Sequence, residues 1–142
     1  MPPRTLDDAL SDAMHASARL IEATREDVRW EWDARFAAVL GVIKAPRDLP
    51  VLELLGGLFP GAWDHQTIAT APDPVRARAS AWGGLGAGQR LFPLDPADDP
   101  LFFAAWWPWR SGATTSLRVG CAGSPAAEGH DPLAQLRRWF SV

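Results

Sequence analysis

Apolar positions recur at two different periods along the chain, and the change of period divides it. Over residues 5–24, "TLDDALSDAMHASARLIEAT", Leu6, Leu10, Met14, Ala18 and Ile21 return at three- and four-residue steps, with Ala13 beside them. That spacing predicts an amphipathic helix. Thr5 suits its N-cap, and Asp7 and Asp8 suit the positive end of its dipole. The next segment, "TREDVRWEWDARFAAVLGVIK", carries both periods. Val28, Trp30, Trp32, Ala34 and Phe36 alternate with charged residues, as in a strand. Val28, Trp32, Phe36, Val39, Leu40 and Ile43 also form a helical stripe, and Glu31 and Arg35 sit at a favourable i,i+4 spacing. The stripe outlasts the alternation, so length favours a helix, which Pro46 ends. "DLPVLELLGGLF" predicts a short helix capped at Asp48 and stopped at Gly56-Gly57.

Past "PGAW" the texture changes to short apolar runs between turn residues. "HQTIAT" predicts a weak strand. "VRARASAW" alternates Val75, Ala77, Ala79 and Ala81 against Arg76, Arg78, Ser80 and Trp82, which predicts another. "GGLGAG" suits a hairpin loop, "QRLFPL" a strand and "DPADDP" a solvated turn. "LFFAAWWPWR" and "TTSLRVGCAG" flank Ser111-Gly112 and predict a β-hairpin. "GSPAAEGHDP" predicts a loop, and "DPLAQLRRWF" a closing helix with Asp131 as cap and Pro132 at its first position. The expected fold is therefore α+β in a single domain, 1–142. A mainly helical layer spans 1–60, an antiparallel sheet of about four to five strands spans 66–121, and a closing helix spans 131–140.

The hairpin fixes a register. A turn at Ser111-Gly112 sets Trp109 opposite Thr114, Trp107 opposite Ser116 and Ala105 opposite Arg118. On the other face Trp106 meets Leu117, Ala104 meets Val119 and Phe102 meets Cys121. The second set is uniformly apolar and predicts the core face. The first set joins Phe103, Trp107 and Trp109 to Thr114, Ser116 and Arg118. Were "VRARASAW" a strand with its small face inward, Arg76, Arg78 and Trp82 would extend that outer surface. Trp and Arg are the residues most enriched where partners anchor, and Arg also stacks on Trp inside one fold. The outer face is thus either a binding face or a surface covered by the chain itself, through its own loops or through Trp139 and Phe140. Pro108 lacks a ladder donor, which predicts an edge strand or a bulge.

Composition narrows the function classes. The net charge of −3 lacks the basic surface that nucleic-acid binding needs. All but one of the 14 basic residues are Arg, consistent with GC-rich, bacterial-like coding; Lys44 is the exception. One cysteine excludes an intrachain disulfide. The N-terminus shows no apolar signal core, and the longest apolar run, Leu101 to Trp109, is shorter than the ~20 residues of a spanning helix. A soluble, cytoplasmic protein with no membrane partner is expected.

Catalytic and metal chemistry find little support. Cys121 near His130 and Asp131 resembles a nucleophile with a base, but its register places it on the core face, where an inert thiol is expected. His15, His65 and His130 lie far apart, so no metal site is expected. Asp95, Asp98 and Asp99 lack the glycine and closing glutamate of a calcium loop. "GGLGAG" precedes a strand rather than a helix, unlike a phosphate loop, and no cofactor is implied. The leading expectation is a small non-enzymatic module binding another protein, or itself as a homodimer. Trp107, Trp109, Arg118, Phe103, Trp82, Arg76 and Arg78 form its surface. Secretion chaperones, adaptors and toxin-immunity proteins are analogous in size and architecture only. The alternative is a small-molecule module in which Trp107, Trp109 and Trp82 stack on a sugar or cationic ligand and Arg118 fixes an anionic group. An enzyme with an unrecognised site is the third.

Overall fold

The computed structural model describes residues 4–122 and 131–142. Helix α1 (Leu6–Thr24) starts as its sequence predicts. Thr5 Oγ1 accepts from Asp8 N at 3.1 Å, and Asp8 Oδ2 accepts from Thr5 N at 3.0 Å, closing a capping box. Its buried stripe runs through Leu10, Ala13, Ala16, Ser17 and Leu20. Met14, expected on that stripe, is instead 50% exposed, because the buried stripe runs through Ala13 and Ser17 and leaves Met14 to one side.

Residues 31–44 are strands rather than the expected helix. Strand β1 (Glu31–Asp33) pairs antiparallel with β2 (Ala38–Lys44), so two strands of the sheet interrupt the helices of the layer spanning 1–60. The alternation holds for Trp30 and Trp32 and breaks at Phe36, which the turn at 34–37 carries to the other face of the sheet. Trp30 and Trp32 pack toward the main core, while Glu31 and Asp33 share the opposite face. Gly41 explains part of the preference. A Cβ there would lie 2.7 Å from Val28 and 2.9 Å from Trp30, so the strand admits those side chains across its backbone. Helix α1 stops at Thr24, whose Oγ1 donates to Leu20 O at 2.7 Å and accepts from Trp30 Nε1 at 3.1 Å.

Helix α2 (Asp48–Leu58) forms as expected but runs through Gly56 and Gly57 to Leu58, and Asp48 is its first residue rather than its cap. Two further strand expectations are corrected. "HQTIAT" holds a 3₁₀ turn, Ile68–Thr70, and "VRARASAW" lies mostly in helix α3 (Asp73–Ala81). Pro74 fits the first turn, Asp73 complements the dipole, and the Ala-rich sequence favours helix. Ala71, Val75 and Ala79 are buried at four-residue spacing. "GGLGAG" consequently joins a helix to β3 (Arg90–Pro93) and is not a hairpin loop.

The hairpin of β4 (Leu101–Pro108) and β5 (Thr114–Ala122) has the register that its sequence predicts. Phe102 lies opposite Cys121, Ala104 opposite Val119, Ala105 opposite Arg118, Trp106 opposite Leu117 and Trp107 opposite Ser116. The turn is wider than two residues. Trp109 N donates to Thr114 O at 2.9 Å, and Gly112, at φ +74°, donates to Trp109 O at 2.9 Å. The five strands run β1-β2-β5-β4-β3, all antiparallel between neighbours. Strand β4 is therefore not an edge. Pro108 is tolerated because β3 pairs only as far as Trp106, leaving no partner for the amide that Pro108 lacks.

The sheet is covered twice. Helix α1 and α4 (Pro132–Phe140) pack on the face of Phe102, Ala104, Trp106, Leu117 and Val119. Helix α3 and the 3₁₀ turn pack on the other face, over Leu91, Phe103 and Ala105. Phe103 lies across Gly120, where a Cβ would come within 2.8 Å of its ring. The loop expected over 123–132 lies largely outside the described residues, as does His130.

Because both faces of β4 are cores, Phe103→Ala and Trp106→Ala should each cost about 3–5 kcal/mol. Trp109→Ala, on a half-exposed ring, should cost under about 1 kcal/mol. Urea unfolding followed by circular dichroism measures all three. A small loss at Phe103 would show that α3 does not seal the outer face.

Candidate functional site

The outer face of the sheet gathers the expected site residues into one cluster, with one exception. Trp82 caps α3 and is its hub. Its ring lies 5.1 Å from Phe103, 5.9 Å from Trp107 and 5.1 Å from Phe36, a residue of the β1–β2 turn. Arg78 lies over the rings of Trp82 and Phe103, at 5.8 and 5.6 Å. Arg118 lies over Phe36 at 4.5 Å, and its Nε donates to Asp33 Oδ2 at 3.0 Å. Arg76 is the exception: it is exposed on α3 and pairs with Asp73.

This cluster is largely internal. Phe103 is 1% exposed, and Arg118 is neutralised by Asp33 with both side chains mostly buried. The face expected to stand open beside β4 is covered there by α3. It remains open toward β2, β5 and the hairpin turn. Val42 and Trp107 flank Ser116 in one cross-strand row, and Leu40 lies beside Arg118 in the next. Leu40, Val42 and Trp107 are half-buried. Trp109 reaches back over this strip, its Nε1 donating to the buried Ser116 Oγ at 2.8 Å, and remains 52% exposed. Thr114 Oγ1 is buried in the same region without a partner. Lys44 and Arg110 stand exposed at its end, and neither forms an ion pair among the described residues. Leu40 and Val42 were hidden from sequence reasoning because their segment was expected to be helical.

A second feature is a cavity of ≈ 920 Å³ between α3, the turn at 95–99 and the ends of β4 and β5. Arg78 lines it beside Pro74, Ala77, Ala81, Pro96 and Leu101. Burial pulls the Arg78 guanidinium below its ordinary pKa, since a charge away from water is harder to hold. Its Nε is buried without a hydrogen-bond partner. The turn is less solvated than expected. Asp98 is buried and takes a bidentate pair from Arg4 at 2.9 and 3.0 Å, while Arg4 also reaches Asp12 at 2.8 Å and Asp95 at 3.1 Å. Asp98, first through its hydrogen bonds, and then Asp12 raise the Arg4 pKa.

Cys121 packs against the main core, and burial pushes its thiol up to about 12. Among the described residues no group of three or more His, Cys, Asp or Glu side chains is placed to hold a metal ion. No helix among them is long and apolar enough to cross a membrane. The chain matches no protein-family model, no curated protein and no solved structure.

The raised Cys121 pKa makes a signed prediction. Its folded state disfavours the thiolate, so stability falls as pH rises above the unfolded thiol's value, about 8.5. Native labelling by a disulfide reagent at pH 8 should be at least about 10-fold slower than labelling in urea. Equal rates would place Cys121 outside the core.

Proposed function

We propose that this chain is a non-enzymatic module that docks another protein on the open strip of its sheet's outer face. The observation that carries this reading is Trp109. Its indole is pinned through Ser116, which sits between Val42 and Trp107 in the sheet, and is 52% exposed. A rigid aromatic held this way loses little freedom on binding, and exposed aromatic surface is what interfaces select. The strip offers shape and apolar area and carries no acid–base pair. Its rim decides the partner's chemistry. Lys44 and Arg110 are exposed cations without carboxylate partners among the described residues, in a chain whose net charge is −3. A partner with an apolar centre and an acidic rim complements them. A two-fold pairing of copies through this strip would face like charges across it, which disfavours a homodimer.

Selection of displayed peptides on the wild-type chain, counter-selected on a Trp107→Ser/Trp109→Ser variant, tests this. Selected peptides should combine aliphatic or aromatic residues with Asp and Glu. Their affinity should fall about 30-fold with Trp109→Ser alone, the loss of about 2 kcal/mol typical of an anchor. Peptides indifferent to Trp109, or a dimer seen by ultracentrifugation that Trp109→Ser dissolves, would overturn the proposal.

A further inference from the structure

The cavity under α3 stands apart from the Trp109 strip and asks for a different occupant. Its volume of ≈ 920 Å³ falls within the range of small-molecule sites. Most of the side chains that line it are apolar: Pro74, Ala77, Ala81, Pro96 and Leu101. Charge enters from two sides. Asp98 is already held by the bidentate pair with Arg4, and Asp99 is exposed on the turn. Arg78 differs from the other cations of this region. Arg4 is paired to carboxylates, Arg76 to Asp73 and Arg118 to Asp33. Arg78 lies over the rings of Trp82 and Phe103 and near the Cys121 thiol, and it forms no ion pair among the described residues. Arg78 Nε is buried with no acceptor, so the guanidinium's terminal N–H groups are the donors left for a ligand in the cavity. A partly desolvated cation with an unmet donor, in the wall of an apolar cavity, fits an anionic group attached to an apolar body.

We infer that this cavity binds an organic anion, with Arg78 receiving the charged head and the alanine, proline and leucine walls receiving the apolar tail. The planar guanidinium matches a carboxylate, and charge-assisted bonds of this kind are the stronger ones. The rings of Trp82 and Phe103 hold the guanidinium from its face, so the fold orients Arg78 before any ligand arrives.

Titration calorimetry with octanoate, octan-1-ol and inorganic phosphate as probes tests this. Octanoate should bind saturably and phosphate alone should bind at least about 10-fold more weakly. Arg78→Met, which keeps the length but not the charge, should weaken octanoate about 10-fold and leave octanol unchanged. Arg78→Lys should retain part of the octanoate affinity. Ala77→Trp, on the cavity's rim, should block both octanoate and octanol without altering circular dichroism, and it keeps the test open if Arg78→Met fails to fold. Absence of saturable octanoate binding, equal loss of octanoate and octanol in Arg78→Met, or Ala77→Trp binding like wild type would each overturn the assignment.

Discussion

Strand β4 is apolar on both faces, and the rest of the molecule answers that constraint. Its ladder with β5 sends Phe102, Ala104 and Trp106 one way and Phe103, Ala105 and Trp107 the other. A strand in the middle of a sheet cannot leave either set in water without a large cost in exposed apolar area. Two separate layers of helix follow. The first, α1 and α4, covers the Trp106 face, and α3 covers the Phe103 face. Gly120 makes the second packing possible by letting the Phe103 ring lie flat across β5. Helix α3 is short, so it seals the outer face only over β3 and β4, and the strip from Leu40 to Trp109 is what remains.

Arginine side chains tie elements together on both sides of the sheet. Arg118 is fixed between Phe36 and Asp33, which ties the β1–β2 turn to β5. Arg4 ties the start of α1 to the turn before β4 through Asp98. Arg137 lies over Trp32 at 4.4 Å and ties α4 to β1. In each case a planar cation is spent on holding one element to another. Lys44 and Arg110 beside the Trp strip have no such tie, and Arg78 in the cavity wall has no carboxylate partner, among the described residues; the two proposed sites rest on them. Those sites are separate places: an aromatic strip with two cations at its end, and a mostly apolar cavity lined by Arg78, Asp98 and Asp99.

Much of this was legible in the sequence, and the failures have physical causes. The hairpin register followed from one turn signal and strict alternation, because a slip of one residue would have exchanged both faces of β4. Helix α4 was legible from Asp131-Pro132. The same Asp-Pro start opens α3 at Asp73-Pro74 and was outweighed there by an alternation of Ala with Arg and Ser. Alanine carries little burial, so its alternation is weak evidence for a strand. Over residues 28–44 both periods were present, and the sheet decided between them. Strand β5 needs a second neighbour, and Val39 and Ile43 fill the core fully as β2. The aromatic and arginine residues of the outer face were identified from sequence, but their covering by α3 was not, because α3 itself was expected to be part of the sheet.

The neighbouring tryptophans of β4 and its turn face three different environments. Fluorine NMR of the 5-fluorotryptophan-labelled chain, with a soluble paramagnetic agent added, tests this directly, since each of the eight indoles reports its own distance to solvent. Trp106 should show no broadening, Trp107 partial broadening and Trp109 strong broadening. Equal broadening of Trp106 and Trp107, or a Trp109 as protected as Trp106, would contradict this.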